Sequence, residues 1–144
     1  MVHGDLKLSN FLFASPDAPG ADRAVALIDL DTVSRLPVYY DRGDAWRSWC
    51  HVGGDGPEQV RLELEIFQAS AEGYLSSIGS GLSGDELGSL VHALERITVE
   101  LSARFAADAL RERHFSWDAK RFPSAAQHNL YRAPVHNGRR AHVV

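Results

Sequence analysis

Two short apolar runs near the N-terminus, Phe11-Leu12-Phe13-Ala14 and Ala24-Val25-Ala26-Leu27-Ile28, flank a nine-residue stretch dense in turn formers, Ser15-Pro16-Asp17-Ala18-Pro19-Gly20-Ala21-Asp22-Arg23. Runs this short, bounded by turn signals, predict the two strands of a hairpin. Antiparallel pairing would bring Asn10 and Asp29 to the same end of that hairpin. Asp29 and Asp31 would also share a side if the segment stays extended, because strand side chains alternate with period 2.

Beyond the hairpin the period changes. Thr32 to Tyr40 contains Pro37 and reads as irregular. A helix is predicted from Asp41 to Cys50, with Asp41 or Asp44 capping its start, and Gly53-Gly54-Asp55-Gly56-Pro57 breaks it. Glu58 to about Ser77 reads as a long helix with Leu62, Leu64, Ile66, Phe67, Ala69 and Gly73 as apolar positions. A second long helix starts at Ser83, where Ser83-Gly84-Asp85-Glu86 has capping-box spacing. Leu87, Leu90, Val91, Leu94, Ile97, Leu101 and Phe105 then recur every three or four residues, which predicts one continuous core-facing stripe running toward Leu110. Phe115-Ser116-Trp117 and Phe122-Pro123 mark irregular structure. His128 to Arg132 forms a last compact cluster, and a flexible polar tail is expected from about residue 134. The fold class is α+β and mostly helical: a helical bundle with one small hairpin.

Composition narrows the picture. The chain has 144 residues, 44% hydrophobic and 24% charged, as expected of one globular domain, and no repeat or linker divides it. A net charge of −4 gives no electrostatic reason to expect nucleic acid. Cys50 is the single cysteine, so neither a disulfide framework nor a thiolate zinc site forms within one chain. It sits among Trp46, Trp49 and Val52, which favours packing over a nucleophilic pair with His51. Without a signal-peptide core or an apolar run approaching ~18 residues, the chain reads as cytoplasmic and not membrane-bound. Gly79-Ser80-Gly81-Leu82-Ser83-Gly84 matches a glycine-rich nucleotide pattern, but two helices flank it and no strand precedes it, so it reads as an interhelical connection.

The chemistry lies in His3-Gly4-Asp5-Leu6-Lys7-Leu8-Ser9-Asn10. Asp5, Lys7 and Asn10 stand in the order a phosphoryl-transfer loop needs: a carboxylate for the acceptor hydroxyl, a cation for the transferring phosphate, an amide for a metal. Ile28-Asp29-Leu30-Asp31 follows at the end of the second apolar run. Asn10 and Asp29 supply the hard oxygen ligands that Mg²⁺ accepts while it keeps waters and substrate oxygens. Asp44 and Arg47, one helical turn apart, either pair with each other or reach a substrate.

These residues resemble the aminoglycoside phosphotransferase and choline kinase-like family of the protein-kinase-like fold, where His-x-Asp-x-x-x-x-Asn is the catalytic loop and Ile-Asp-x-Asp follows it. Asp29-Leu30-Asp31-Thr32-Val33 with Tyr40-Asp41-Arg42-Gly43-Asp44-Ala45-Trp46-Arg47 is similar to the N-acetylhexosamine 1-kinase type, as is His128-Asn129-Leu130-Tyr131-Arg132-Ala133. The resemblance implies a phosphotransferase using ATP and Mg²⁺ on a small-molecule hydroxyl. In it Asp5 and Lys7 are catalytic; Lys7, Asn10 and Asp29 meet the cofactor; and Asn10, Asp29 and Asp31 hold metal. Asp31, Asp44, Arg47 and Arg132, with His128 behind them, would be acceptor-side residues. His3 and Asp41 would support the loop, Asp41 from a helix start. It further implies that residues 1–144 are the C-terminal lobe only, with the nucleotide-covering N-terminal lobe absent or supplied by another chain. Little activity is then expected of the chain alone, and exposed apolar surface near His3 and Phe11 would mark the lobe interface.

Overall fold

The computed structural model describes residues 1–17, 19–53 and 61–137. Phe11–Phe13 (β1) and Ala24–Leu27 (β2) form an antiparallel hairpin in which Phe11 faces Leu27 and Leu12 faces Ala26, with an irregularity before the Phe13–Ala24 pair. Two strands alone are marginal in water. This pair is anchored at one end, where Phe11 meets Trp49 edge-on with ring centroids 5.6 Å apart. Both faces beyond that anchor stay open: Leu12, Phe13, Val25 and Leu27 are exposed, as are Ile28 and Leu30 just after β2. His3, by contrast, is buried and Phe11 partly so, which places the open apolar surface on the hairpin rather than at His3.

The first helix, α1 (Val38–Trp49), starts three residues earlier than its polar pattern suggests. Pro37 hands it an extended backbone at φ −59° and ψ 145°, and no side chain caps it. Neither Asp41 nor Asp44 is the cap, and the Asp41 carboxylate is committed elsewhere. After α1, His51–Val52 (β3) pairs antiparallel with Arg61–Leu62 (β4). The helix expected from Glu58 therefore begins only at Leu64, as α2 (Leu64–Ile78). Most of the expected break, residues 54 to 57, and the first three residues of that helix lie outside the described residues.

Apolar residues wrap α2 on more than one side, and packing selects the face. Phe67 lies against Trp46 at 4.8 Å between ring centroids, and Ala71 and Tyr74 join the same cluster. Leu64, Ile66, Ala69 and Gly73, read as core positions, point to solvent. Gly79–Gly81 makes a short 3-10 turn, and α3 (Gly84–Leu90) follows with the expected capping box between Ser83 and Glu86. The glycine-rich segment is thus an interhelical connection.

The long stripe is broken in two. α3 ends at Leu90, and α4 (Ala93–Asp108) begins beyond His92, whose φ of −106° and ψ of 10° leave the helical region. Leu90 and Ala93 both enter the cluster of Trp46 and Cys50, whereas Leu87 and Val91 are exposed. Bending there lets both helices lie on α1. At the crossing, a Cβ on Gly43 would stand 2.4 Å from the Ala93 carbonyl oxygen and 2.6 Å from the Ile97 side chain, so only glycine admits this approach. α4 stops at Asp108 and Leu110 is exposed.

The last helix, α5 (Ala125–Asn137), packs on α4, where the Ser102 hydroxyl donates 2.9 Å to the Ala133 carbonyl. Residues 134 to 137, expected in a tail, are helical; the remainder of that tail lies outside the described residues. The result is a mostly helical lobe of kinase-like type carrying a small hairpin. Cys50 is fully buried, and burial pushes its thiol up to about 11, consistent with packing. No helix among the described residues is long and apolar enough to cross a membrane.

Candidate active site

The His3–Asn10 loop is held from below by α1. Asp41 accepts from the backbone N–H of His3 at 2.9 Å and of Gly4 at 2.6 Å. Gly4 has φ 84°, and a Cβ there would stand 2.9 Å from the Thr32 carbonyl oxygen, so the turn both favours and requires glycine. Thr32 Oγ1 donates to the His3 carbonyl at 2.7 Å, and Trp49 Nε1 donates to the Leu6 carbonyl at 2.6 Å. Val2 and Ser34 add an antiparallel bridge.

The His3 ring links the loop to the hairpin. Its Nε2 lies 3.0 Å from the Ile28 carbonyl oxygen, which only accepts, while Nδ1 receives the Asp5 N–H at 3.3 Å. Both contacts are satisfied by the Nε2–H tautomer. His3 is therefore a brace made of backbone and ring together.

Asn10 closes a 3-10 turn (Leu8–Asn10) at the start of β1 and is buried. Its Nδ2 donates to the Asp5 carbonyl at 2.9 Å and to Asp5 Oδ2 at 3.2 Å. That leaves the amide oxygen as the free end of the group. The Ile28 N–H donates to the Asn10 carbonyl at 2.9 Å, so the hairpin delivers Asp29 beside Asn10 across 19 residues of chain. Asp29 has φ 66° and ψ 62°, a left-handed conformation uncommon outside glycine. Asp31 follows in a 3-10 turn (Leu30–Thr32), so the extended geometry that would align the two carboxylates does not exist.

Lys7 ties the acidic groups together. Its ammonium donates to Asp5 Oδ2 at 2.6 Å and lies 3.7 Å from Asp29 Oδ2. The hydrogen bond that Lys7 donates to Asp5 is the largest influence raising the Lys7 pKa above its ordinary 10.5, against the opposing effect of burial, with Asp29 adding to it. Asp5, Lys7, Asn10 and Asp29 are thus one connected cluster.

The other expected residues divide. Asp44 Oδ1 accepts from Arg47 Nε at 3.1 Å and Nη2 at 2.7 Å, so this pair binds to itself. Asp44 Oδ2 is buried with no hydrogen-bond partner among the described residues. Arg132 is not brought to the loop: its guanidinium donates to the Ser116 carbonyl at 3.1 Å and to Asn129 Oδ1, and stacks 4.4 Å over Phe105. His128 is buried against Phe122, with Nδ1 accepting from the Asp118 N–H.

Two groups escaped the sequence reading. Asp108 accepts from the backbone N–H of Arg113 and His114 at 3.0 Å and Phe115 at 3.1 Å, and from Asn129 Nδ2 at 3.0 Å. Burial alone would raise its pKa, but these four donors together hold it below the usual carboxylate range. Thr32 is the second: its hydroxyl holds the His3 carbonyl from 29 residues away, a contact that no local spacing announces.

Among the described residues no three His, Cys, Asp or Glu side chains gather as a metal site. The donor set at the loop is instead one carboxylate and one amide oxygen. That fits a hard cation such as Mg²⁺, which takes one or two protein oxygens and completes its shell from water and phosphate. The model of the phosphotransferase enzyme family matches residues 1–75, from the loop through the hairpin and α1 and into α2. No solved structure matches the chain. By the match over more than half its length, the chain belongs to the phosphotransferase enzyme family.

Proposed function

We propose that this chain is the catalytic and acceptor-binding lobe of an ATP- and Mg²⁺-dependent phosphotransferase. Its acceptor is a hydroxyl of a sugar or amino sugar, as in the N-acetylhexosamine 1-kinase type. The supporting observation is the convergence of Asp5, Lys7 and Asn10 in a hydrogen-bonded cluster to which Asp29 is joined by its ion pair with Lys7.

In this reading Asp5 takes or orients the acceptor hydroxyl proton, held in place by Asn10 Nδ2 and by the His3 ring beneath its backbone. Lys7 places a mobile positive charge where the transferring group carries its negative charge. The Asn10 oxygen and the Asp29 carboxylate would hold Mg²⁺, which when bound neutralises phosphate oxygens. Asp31, Asp44 and Arg47 are the acceptor-side candidates. The open apolar surface of the hairpin is where a nucleotide-covering lobe, in this chain or another, would sit.

That open surface also favours a second reading, a non-catalytic binding module of the same fold. Mn²⁺ binding followed by electron paramagnetic resonance, with ADP release in the presence of an N-acetylhexosamine, separates the two. Mn²⁺ binding lost in Asp29→Asn and phosphoryl transfer lost in Asp5→Asn support the enzyme. A folded sample that binds neither Mn²⁺ nor nucleotide supports the module. The 144-residue chain by itself is expected to turn over slowly at most. Robust turnover abolished by Asp5→Asn would overturn that expectation.

A further inference from the structure

The C-terminal end of α4 borders a half-open cavity of about 250 Å³, lined by Arg104, Ala107, Asp108, Arg111, His114 and Phe115. Its lining residues are all from 104 to 115 and include none of the His3–Asn10 loop. On α1, Tyr40 meets Glu100 and Arg104, while Asp41, the next residue around the helix, holds His3 and Gly4.

The chain as a whole is acidic, at −4, yet this cavity gathers two guanidiniums and an imidazole. Arg104, Ala107 and Asp108 share one face of the last turns of α4, and Arg111 joins them from the turn that follows the helix. Arg111 and His114 have no ion-pair partner among the described residues, and the exposed Arg104 reaches Glu100 only at 3.8 Å. Asp108 is the one anion in the wall. Its two oxygens are taken by the three backbone N–H groups of residues 113 to 115 and by Asn129, which turns its charge inward.

Those same bonds make the wall rigid. They hold a turn in which Glu112 has φ 49°, a left-handed conformation that a non-glycine residue keeps only when its surroundings impose it. Phe115 forms an apolar side of the cavity and is fixed against Phe105, with ring centroids 4.5 Å apart. A concave site that sets the exposed guanidiniums of Arg104 and Arg111 beside an aromatic ring, with Arg104 5.5 Å over the Phe115 ring and only loosely paired to Glu100, selects a ligand with both an anionic and an apolar part. A phosphate matches paired guanidinium forks better than a single carboxylate does, because it offers more oxygens and up to two charges.

We propose that this cavity binds a small organic phosphate monoester, its apolar part against Phe115 and its phosphate between Arg104 and Arg111. The test titrates the whole chain with phenyl phosphate, inorganic phosphate and phenol, by calorimetry and by amide chemical shifts. Phenyl phosphate is expected to bind about tenfold tighter than either fragment, with shifts centred on residues 104 to 116. Arg104→Gln and Arg111→Gln, both at exposed positions, should each weaken it several-fold without lowering the unfolding midpoint. Asp5→Asn should leave it unchanged, so the outcome is independent of the phosphotransferase reading. Absent binding, equal affinity for phenyl phosphate and either fragment, shifts confined to residues 3 to 10, or indifference to both arginine substitutions would each overturn the proposal.

Discussion

Asp41 and Asp108 solve one problem at two ranges. Each is a buried carboxylate that gathers backbone N–H groups from an irregular segment, so that a loop acquires the rigidity of a helix. Asp41 reaches back 37 and 38 residues to Gly4 and His3 and fixes the loop that carries Asp5. Asp108 reaches forward five to seven residues, then uses Asn129 to tie the turn to α5. The long-range bracket makes a site depend on the fold. The short-range one makes the end of a helix nearly self-sufficient. Removing each should therefore have different consequences for metal binding.

The largest combined effect, on stability and metal binding together, is expected at Asp41. Asp41→Ala leaves two backbone N–H groups without their charged acceptor, and hydrogen bonds to charged groups contribute roughly 1.5–3 kcal/mol each. A loss on the order of 3 kcal/mol in urea unfolding, together with loss of Mn²⁺ binding at the loop, is the expected outcome. Asp108→Ala should lower the unfolding midpoint while leaving Mn²⁺ affinity unchanged. If the two variants impair Mn²⁺ binding equally, the distinction between the brackets fails.

Gly43→Ala tests whether the helices bearing the two aspartates act as a unit. The added methyl would meet the Ala93 backbone, which cannot swing aside as a side chain can. Overpacking of this kind costs about 1–3 kcal/mol. The variant should lose stability and, by shifting α1, weaken Mn²⁺ binding as well. Destabilisation with unaltered Mn²⁺ affinity would show that the loop is insulated from the α1–α4 crossing.

How much of this was legible follows from the same contrast. The hairpin could be read because Pro, Gly and Asp punctuate two apolar runs, and the joining of Asn10 to Asp29 followed from antiparallel pairing alone. The His3–Asn10 loop was legible because several chemistry-bearing residues stand at fixed spacing. The Asp29–Asp31 alignment was not, because a left-handed residue followed by a 3-10 turn leaves no periodic trace. The face of α2 was misjudged because Leu64, Ile66, Phe67 and Leu75 surround the helix, and only Trp46 and Arg42 on α1 decide which side is inside. Periodicity likewise could not reveal the bend at His92, since Leu90 and Ala93 keep the helical rhythm across it. Asp108 had no motif around it, and its partners are backbone groups, which every sequence possesses.

Acid offers a finer separation of the two brackets. The Asp108 pKa is held below the ordinary value of 3.8, so its contribution is fully present above that value and is lost as pH falls through the lowered folded value. Unfolding free energy measured between about pH 2 and pH 5 should fall less steeply with acid in Asp108→Asn than in the parent chain. An unchanged slope would mean that the four donors do not favour the charged form over the unfolded reference.

The smallest effect on stability, and the most informative about the site, is expected at Lys7. The side chains of Lys7 and Asp29 are 43% and 44% exposed and that of Asp5 30%, and pairs of that kind contribute at most about 1 kcal/mol. Linkage runs opposite to Asp108: the raised Lys7 pKa gives stability present below 10.5 and lost as pH climbs through the folded value. Lys7→Met should thus leave unfolding at neutral pH nearly unchanged. It should instead tighten Mn²⁺ binding several-fold, because the cation now resting between Asp5 and Asp29 competes for the same negative charge. The same variant should slow any phosphoryl transfer, since a metal bound more tightly in the ground state does not replace a charge placed for the transition state. Weaker Mn²⁺ binding in Lys7→Met would mean that the lysine organises the two carboxylates rather than competing at them, and the cluster would then be a structural clamp.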